Sequence, residues 1–158
     1  MHTYRQIQLA LISYLKSVDV ANTHDRLIDV TDAEKYDQHI LTSENYALAA
    51  FVERTGTVDE EVRVLTDGTR QTVQRSHTFS MLVLREWNDD DNSTLIANDL
   101  WESIRAKLML RSTVEYFRDT VGVVYDPPEA PDIKTDEMLG IVVHVITGSI
   151  KFYEQVHE

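Results

Sequence analysis

The densest concentration of potential cation ligands in the chain is the run Asp89-Asp90-Asp91. A calcium loop needs alternating oxygen ligands, a turn glycine and a distal bidentate glutamate. None of these follows the run. Carboxylates placed just before a helical pattern are instead stabilised by the positive end of the helix dipole, so the run is expected to be a solvated acidic loop capping a helix. His77 and His144 each lie in an otherwise apolar, β-prone stretch. On adjacent strands they could pair or share a metal ion, but no HxH or HExxH spacing accompanies them. The expectation is a half-buried histidine at each position with its ring nitrogens satisfied. His2, His24, His39 and His157 fall in polar or terminal segments.

Other chemistries find still less support. The chain has no cysteine, which removes disulfides, thiolate zinc sites and cysteine nucleophiles. Ser13, Ser43, Ser76, Ser80 and Ser93 lack a nucleophile-elbow context, because GxSxG is absent. The five glycines are scattered, so there is neither a phosphate loop nor a dinucleotide fingerprint. With 27 carboxylates, pairs of acids could be assembled anywhere, and their number alone points to no reaction. An enzymatic reading would rest on the two histidines, and the chain is expected to need no cofactor or metal.

The elements that must position these residues follow from periodicity. Residues 3–18 read as an amphipathic helix, with Tyr4, Ile7, Leu11, Tyr14 or Leu15, and Val18 on one face and Arg5, Gln6, Gln8 and Lys16 on the other. Residues 19–45 turn polar and acidic and read as a long excursion with one short strand near 26–30. From Tyr46 the period becomes two, as in a strand with one well-buried face. Val62 and Val64 start a second short alternation, and Asp67-Gly68 is a hairpin signal. A long strand over 71–87 follows, in which Val73, His77, Phe79, Met81, Val83 and Trp87 share a side. Its segment Met81–Leu84 is apolar on both sides, and so should be central and covered twice.

Helical spacing returns from about Thr94 to Arg111, where Ala97, Leu100, Trp101, Ile104 and Leu108 line one face and Asn92 or Ser93 can cap. Residues 113–120 read as a further short helix, and Val121–Tyr125 as helix or strand. Pro127, Pro128 and Pro131 predict an extended loop over 126–136. The stretch Met138–Val156 closes the chain as a strand, continuous or bulged near Gly148. Trp87 and Trp101, flanking the acidic run, are expected in the core or at a subunit interface.

At 158 residues, 42% hydrophobic and 27% charged, the chain is long enough to bury a core as one domain. The reading is therefore a single α+β domain over 1–158, an antiparallel sheet of four to five strands with helices packed on it, and 19–45 and 126–136 as long loops or insertions. The net charge of −12 disfavours a nucleic-acid-reading face and an anionic membrane surface. No apolar run has the length of a transmembrane helix, and no signal-peptide core is evident. Strands as long as 71–87 and 138–156 outrun a core of this size, so their ends should protrude and offer edges to another chain. Arg54, Arg63, Arg70 and Arg75 cluster around the hairpin while acids dominate elsewhere. Opposite charges on one chain are suited to head-to-tail ring contacts.

The order and lengths of these pieces resemble the tail terminator (tail completion) proteins of long-tailed bacteriophages. The resemblance is carried by the opening helix YRQIQLALISYL (Tyr4–Leu15), the strand–loop–helix unit Thr78–Leu108 and the closing strand GIVVHVITGSIKFYE (Gly140–Glu154). It implies a virion structural protein of the phage neck, assembled in the host cytoplasm. Six copies would form a ring that stops tail-tube growth and joins the tube to the head–tail connector protein. DNA would be a non-specific cargo of the lumen, with no membrane partner and no catalysis. Under it, Arg54, Arg63, Asp67, Gly68, Arg70 and Arg75 would form the subunit or tube contact. Asp89, Asp90 and Asp91 would line an acidic lumen or loop that repels the passing DNA.

The chain is also similar to type III secretion chaperones, which are small, acidic, cysteine-poor α+β dimers that hold an effector segment in extended form. Those proteins usually close with a helix, whereas SIKFYEQV here is strand-like.

Overall fold

The computed structural model describes residues 2–18, 20–28, 31–62, 72–87 and 93–157, with backbone alone at 60–62, 72–73, 93–94 and 155–157. Along the chain come α1 (Thr3–Ser17), β1 (Thr23–His24), α2 (Ala33–His39), β2 (Leu48–Val62), β3 (Thr72–Glu86), α3 (Ser93–Met109) and α4 (Arg111–Tyr116). A π-helical turn (Phe117–Val121), β4 (Val124–Tyr125), β5 (Asp132–Met138) and β6 (Ile141–His157) complete it. The fold is α+β, built on a mostly antiparallel six-stranded open sheet ordered β1-β2-β3-β6-β4, with β5 also paired to β6. Two of the strands have only two residues, which is why the sequence suggests fewer.

β3 is central, as its doubly apolar segment predicts. It pairs β6 without a break from Thr72↔His157 to Glu86↔Val143, so Gly148 sits in register opposite Met81 with no bulge. Alternate side chains feed two apolar groups. Leu48, Ala50, Val52, Phe79, Met81, Val83, Ile146, Ile150 and Phe152 face α1 and α3. Ala47, Ala49, Phe51, Leu84 and Val143 face the other way, where Tyr36 and Ile40 cover them. Met81–Leu84 is thus covered on both sides.

That second cover corrects two expectations. β2 is buried on both faces, not one, and the excursion 19–45 holds a helix. Asp32 accepts hydrogen bonds at one oxygen from the backbone N–H of Glu34 (3.0 Å) and Lys35 (3.2 Å), an N-cap that starts α2. The short strand of this region is Thr23–His24, parallel to β2 at Ala50 and Phe51, not a strand near 26–30, where Asp29 and Val30 lie outside the described residues. Asn22 fixes it by donating to the carbonyls of Leu41 (3.0 Å) and Ile40 (3.3 Å), while its own carbonyl accepts from Ala50.

The two alternations at 46–53 and around Val62 belong to one strand. β2 runs through both, with a β-bulge between Arg54 and Gly56. The expected loop over 126–136 is shorter than its prolines suggest. After Pro131 the chain enters β5, which turns into β6 through Leu139 (φ 51°) and Gly140 (φ 79°). Positive φ at both central residues is the two-residue turn whose twist suits a hairpin, and Leu in the first position hides it from the sequence.

The helix layer follows the predicted faces, with one exception. Ile7, Leu11, Leu15, Ala97, Trp101, Ile104 and Leu108 are buried. Gln8, placed by its polarity on the outer side of α1, is buried too. Its amide donates to the carbonyls of Val52 (2.8 Å) and Asp25 (3.0 Å) and its oxygen accepts from Arg5 (2.7 Å), so its polar atoms are satisfied. The outer end of the Trp101 indole packs against Gly148, which has no side chain to hold it off. Trp87, by contrast, is 41% exposed. Phe117, in the π-helical turn, meets Phe152 (5.1 Å between centroids) and Tyr125 (5.2 Å). Gly122, left-handed at φ 79°, ends that turn. The Tyr125 hydroxyl donates to the Leu108 carbonyl, tying β4 to the end of α3. Burial, with Tyr14 nearby, pushes this phenol up to about 12.

Candidate functional site

Among the described side chains, neither apolar group includes a residue of β2 beyond Val52, of β3 before Phe79 or of β6 beyond Phe152. Yet the three strands stay paired out to Val62↔Thr72 and Thr72↔His157. They form a three-stranded arm that continues past the core. A cleft of about 760 Å³ opens at its root, beneath the N-terminus of α1. Its lining is largely polar, with Arg54, Asp59, Arg75, His77 and Glu154 among the residues that form it.

One wall is a stack. The rings of His2 and Tyr4 are near parallel, 5.8 Å apart, and the Arg54 guanidinium lies 4.0 Å over the Tyr4 ring. The other wall is a set of cross-strand ties. Asp59, Arg75 and Glu154 are register neighbours on β2, β3 and β6, as are Thr57, His77 and Phe152. The bulge brings Arg54, Thr57 and Asp59 to the same face, because it shifts the alternation of β2 by one residue.

Arg75 donates to both oxygens of Asp59 (Nε 2.7 Å, Nη2 3.3 Å) and comes within 3.9 Å of Glu154. Hydrogen bonding from that guanidinium holds the Asp59 carboxyl below the usual carboxylate range. The imidazole of His77, 4% exposed, donates from Nε2 to Glu154 (2.8 Å), which leaves Nδ1 to accept the Thr57 hydroxyl (3.1 Å). Threonine, imidazole and carboxylate in this order form a proton relay on paper. Here both nitrogens are engaged by neighbouring strands, and the arrangement acts as a tie that fixes the root of the arm.

His144 lies on the same sheet face as His77, since Arg85↔His144 and His77↔Phe152 are in register. The two are eight residues apart along each strand, roughly 26 Å, and do not meet. His144 is 3% exposed, with the Trp87 ring edge-on at 6.5 Å. Burial, and then the charge of Arg85, lowers its pKa. Among the described residues no group of three His, Asp or Glu is placed to hold a metal ion, and no helix is long and apolar enough to cross a membrane.

Of the residues expected at a subunit or tube contact, Arg54 and Arg75 therefore share the root cleft. Arg63, Asp67, Gly68 and Arg70, which join β2 to β3 at the far end of the arm, lie outside the described residues, as do Asp89, Asp90, Asp91 and the capping candidate Asn92. Sequence reasoning missed Gln8, Thr57 and Glu154. The signal for Glu154 was available, as it shares the parity of Ile150 and Phe152 on a strand next to His77. No protein-family model matches the chain, and no curated protein matches it in sequence.

Proposed function

We propose that this chain is a ring-forming structural subunit of the tail terminator type. It would sit at the head-proximal end of a phage tail, stop growth of the tube and join it to the head connector, with DNA crossing the lumen as non-specific cargo. The observation that carries the reading is the three-stranded arm. Strands extended past the apolar core leave unpaired backbone groups at their edges, and such an extension is useful where it meets another chain. The residues joining β2 to β3, with Arg63, Asp67, Gly68 and Arg70 among them, are then the natural contact with a neighbouring subunit or with the tube. The net charge of −12 supports the same reading, because a channel with acidic walls does not retain DNA.

The test is the native mass of the purified chain, by light scattering and native mass spectrometry, at low and moderate salt. A hexamer, or a monomer that closes into rings on concentration, is the expected result, and electron microscopy should then show a central hole. A tight dimer insensitive to salt would overturn the ring and favour a chaperone that holds an extended segment.

A further inference from the structure

We propose that the outer edge of β2, from Arg54 to Val62, accepts a basic extended segment of a different protein as an added strand. The inference holds whether or not the chain forms a ring. It starts from what borders β6 and β2 within the core. On the far side of β6, β5 pairs 141–147 and β4 pairs 152–153. The segment between β4 and β5 carries Pro127, Pro128 and Pro131, which bring no N–H to be satisfied. On β2 itself, β1 pairs Ala50 and Phe51, the Gln8 amide takes the Val52 carbonyl, and the Glu53 carboxylate accepts the N–H of Leu27 (2.8 Å).

Beyond Glu53 this closure stops. Among the described residues no strand pairs that edge from Arg54 to Val62, and residues 53–55 and 57–59 are exposed, Val58 at 57%. The open edge is nine residues long, roughly 30 Å of backbone donors and acceptors. Addition of a strand to such an edge is an established mode of peptide recognition, with main-chain bonds supplying affinity.

Charge decides the occupant. The edge strand ends in Asp59-Glu60-Glu61, and its only cation, Arg54, is stacked on Tyr4. A second copy paired antiparallel would bring one cation, Arg54, against the three carboxylates of its partner, whereas a basic segment offers a cation to each of them. These carboxylates attract lysine or arginine on an incoming strand. Asp59 is already neutralised by Arg75, so positions 60 and 61 carry the preference.

The experiment uses the full chain and three labelled nonapeptides: alternating Lys-Val, alternating Glu-Val, and alternating Lys-Pro, which has the charge of the first but cannot pair as a strand. Fluorescence anisotropy should show the Lys-Val peptide binding at least tenfold more tightly than either of the others. Amide exchange at 55–61 should slow on binding, and E60K/E61K should lower the affinity tenfold with the circular dichroism unchanged. Equal binding of the Lys-Pro peptide would reduce the effect to long-range attraction and overturn the proposal. So would protection that falls elsewhere, or amides 55–61 already protected in an oligomer of the chain alone. Native mass is read separately, so failure here leaves the ring reading standing, and the reverse holds.

Discussion

Replacing Gly148 with alanine places a methyl group where Trp101 already sits. A Cβ at this position would lie 2.0 Å from Cη2, 2.6 Å from Cζ2 and 3.0 Å from Cζ3 of the indole. Carbon atoms rest about 3.5–4.0 Å apart, so the ring must retreat by about 1.5 Å. It has little room, being 1% exposed in the main apolar group. Overpacking of this kind costs about 1–3 kcal/mol, and the entropy recovered by removing a strand glycine returns less than about 1 kcal/mol. We expect a net loss of about 1–2 kcal/mol, or a Tm lower by about 2–8 °C for a chain of this length. Urea unfolding followed by circular dichroism measures it without relying on the tryptophan signal. Trp101→Leu alone should cost about 2–4 kcal/mol through its cavity. The double variant should recover about 1–2 kcal/mol of the summed loss, because leucine cannot reach the new methyl. A Gly148→Ala protein as stable as the parent, or losses that simply add, would refute the argument that glycine is there to seat the indole.

Two further outcomes follow from described geometry. Asp32→Ala removes the acceptor for two orphan N–H groups of α2 and should cost about 1 kcal/mol, with amide exchange accelerating across 33–40 and little change in the helix layer. For His144, burial and Arg85 hold the folded pKa below its ordinary value near 6.5, so the unfolded chain binds the proton more readily. Stability should therefore be full above about pH 6.5 and fall as the pH drops below it, down to the folded pKa. His144→Gln should flatten that part of the profile in urea midpoints between pH 7 and 5.5, and a parallel profile would show that His144 is not its source.

The helix faces and the central strand were legible because each is decided by local periodicity. Met81–Leu84 announces double burial, and Ala97, Trp101, Ile104 and Leu108 announce a face. What was hidden depends on partners distant in sequence. Gln8 reads as polar surface until β2 offers it the Val52 carbonyl. α2 is short and acidic, and only its Asp32 cap and the pair Tyr36 and Ile40 mark it. β5 follows three prolines, yet it forms because β6 supplies its partner and a leucine accepts a positive φ at the turn. The root cleft was half visible. Arg54, Arg75 and His77 stand out in sequence, but their meeting with Thr57, Asp59 and Glu154 requires the register of three strands and a bulge that no residue type announces.

That bulge also divides the protein into two phases. Within the core, even-numbered residues of β2 face the helices. Past Gly56, odd-numbered ones do. β3 and β6 keep a single phase throughout, so they act as a fixed ruler against which β2 slips by one. A one-residue deletion at Thr55 would remove the bulge, so that Gly56 follows Arg54 directly in the ladder, and both the core residues Leu48, Ala50 and Val52 and the arm residues would keep their partners and faces. A change of one residue in length can thus be absorbed at this point without repacking the interior or turning the arm, which makes the site a natural place for related chains to differ in length while holding their fold.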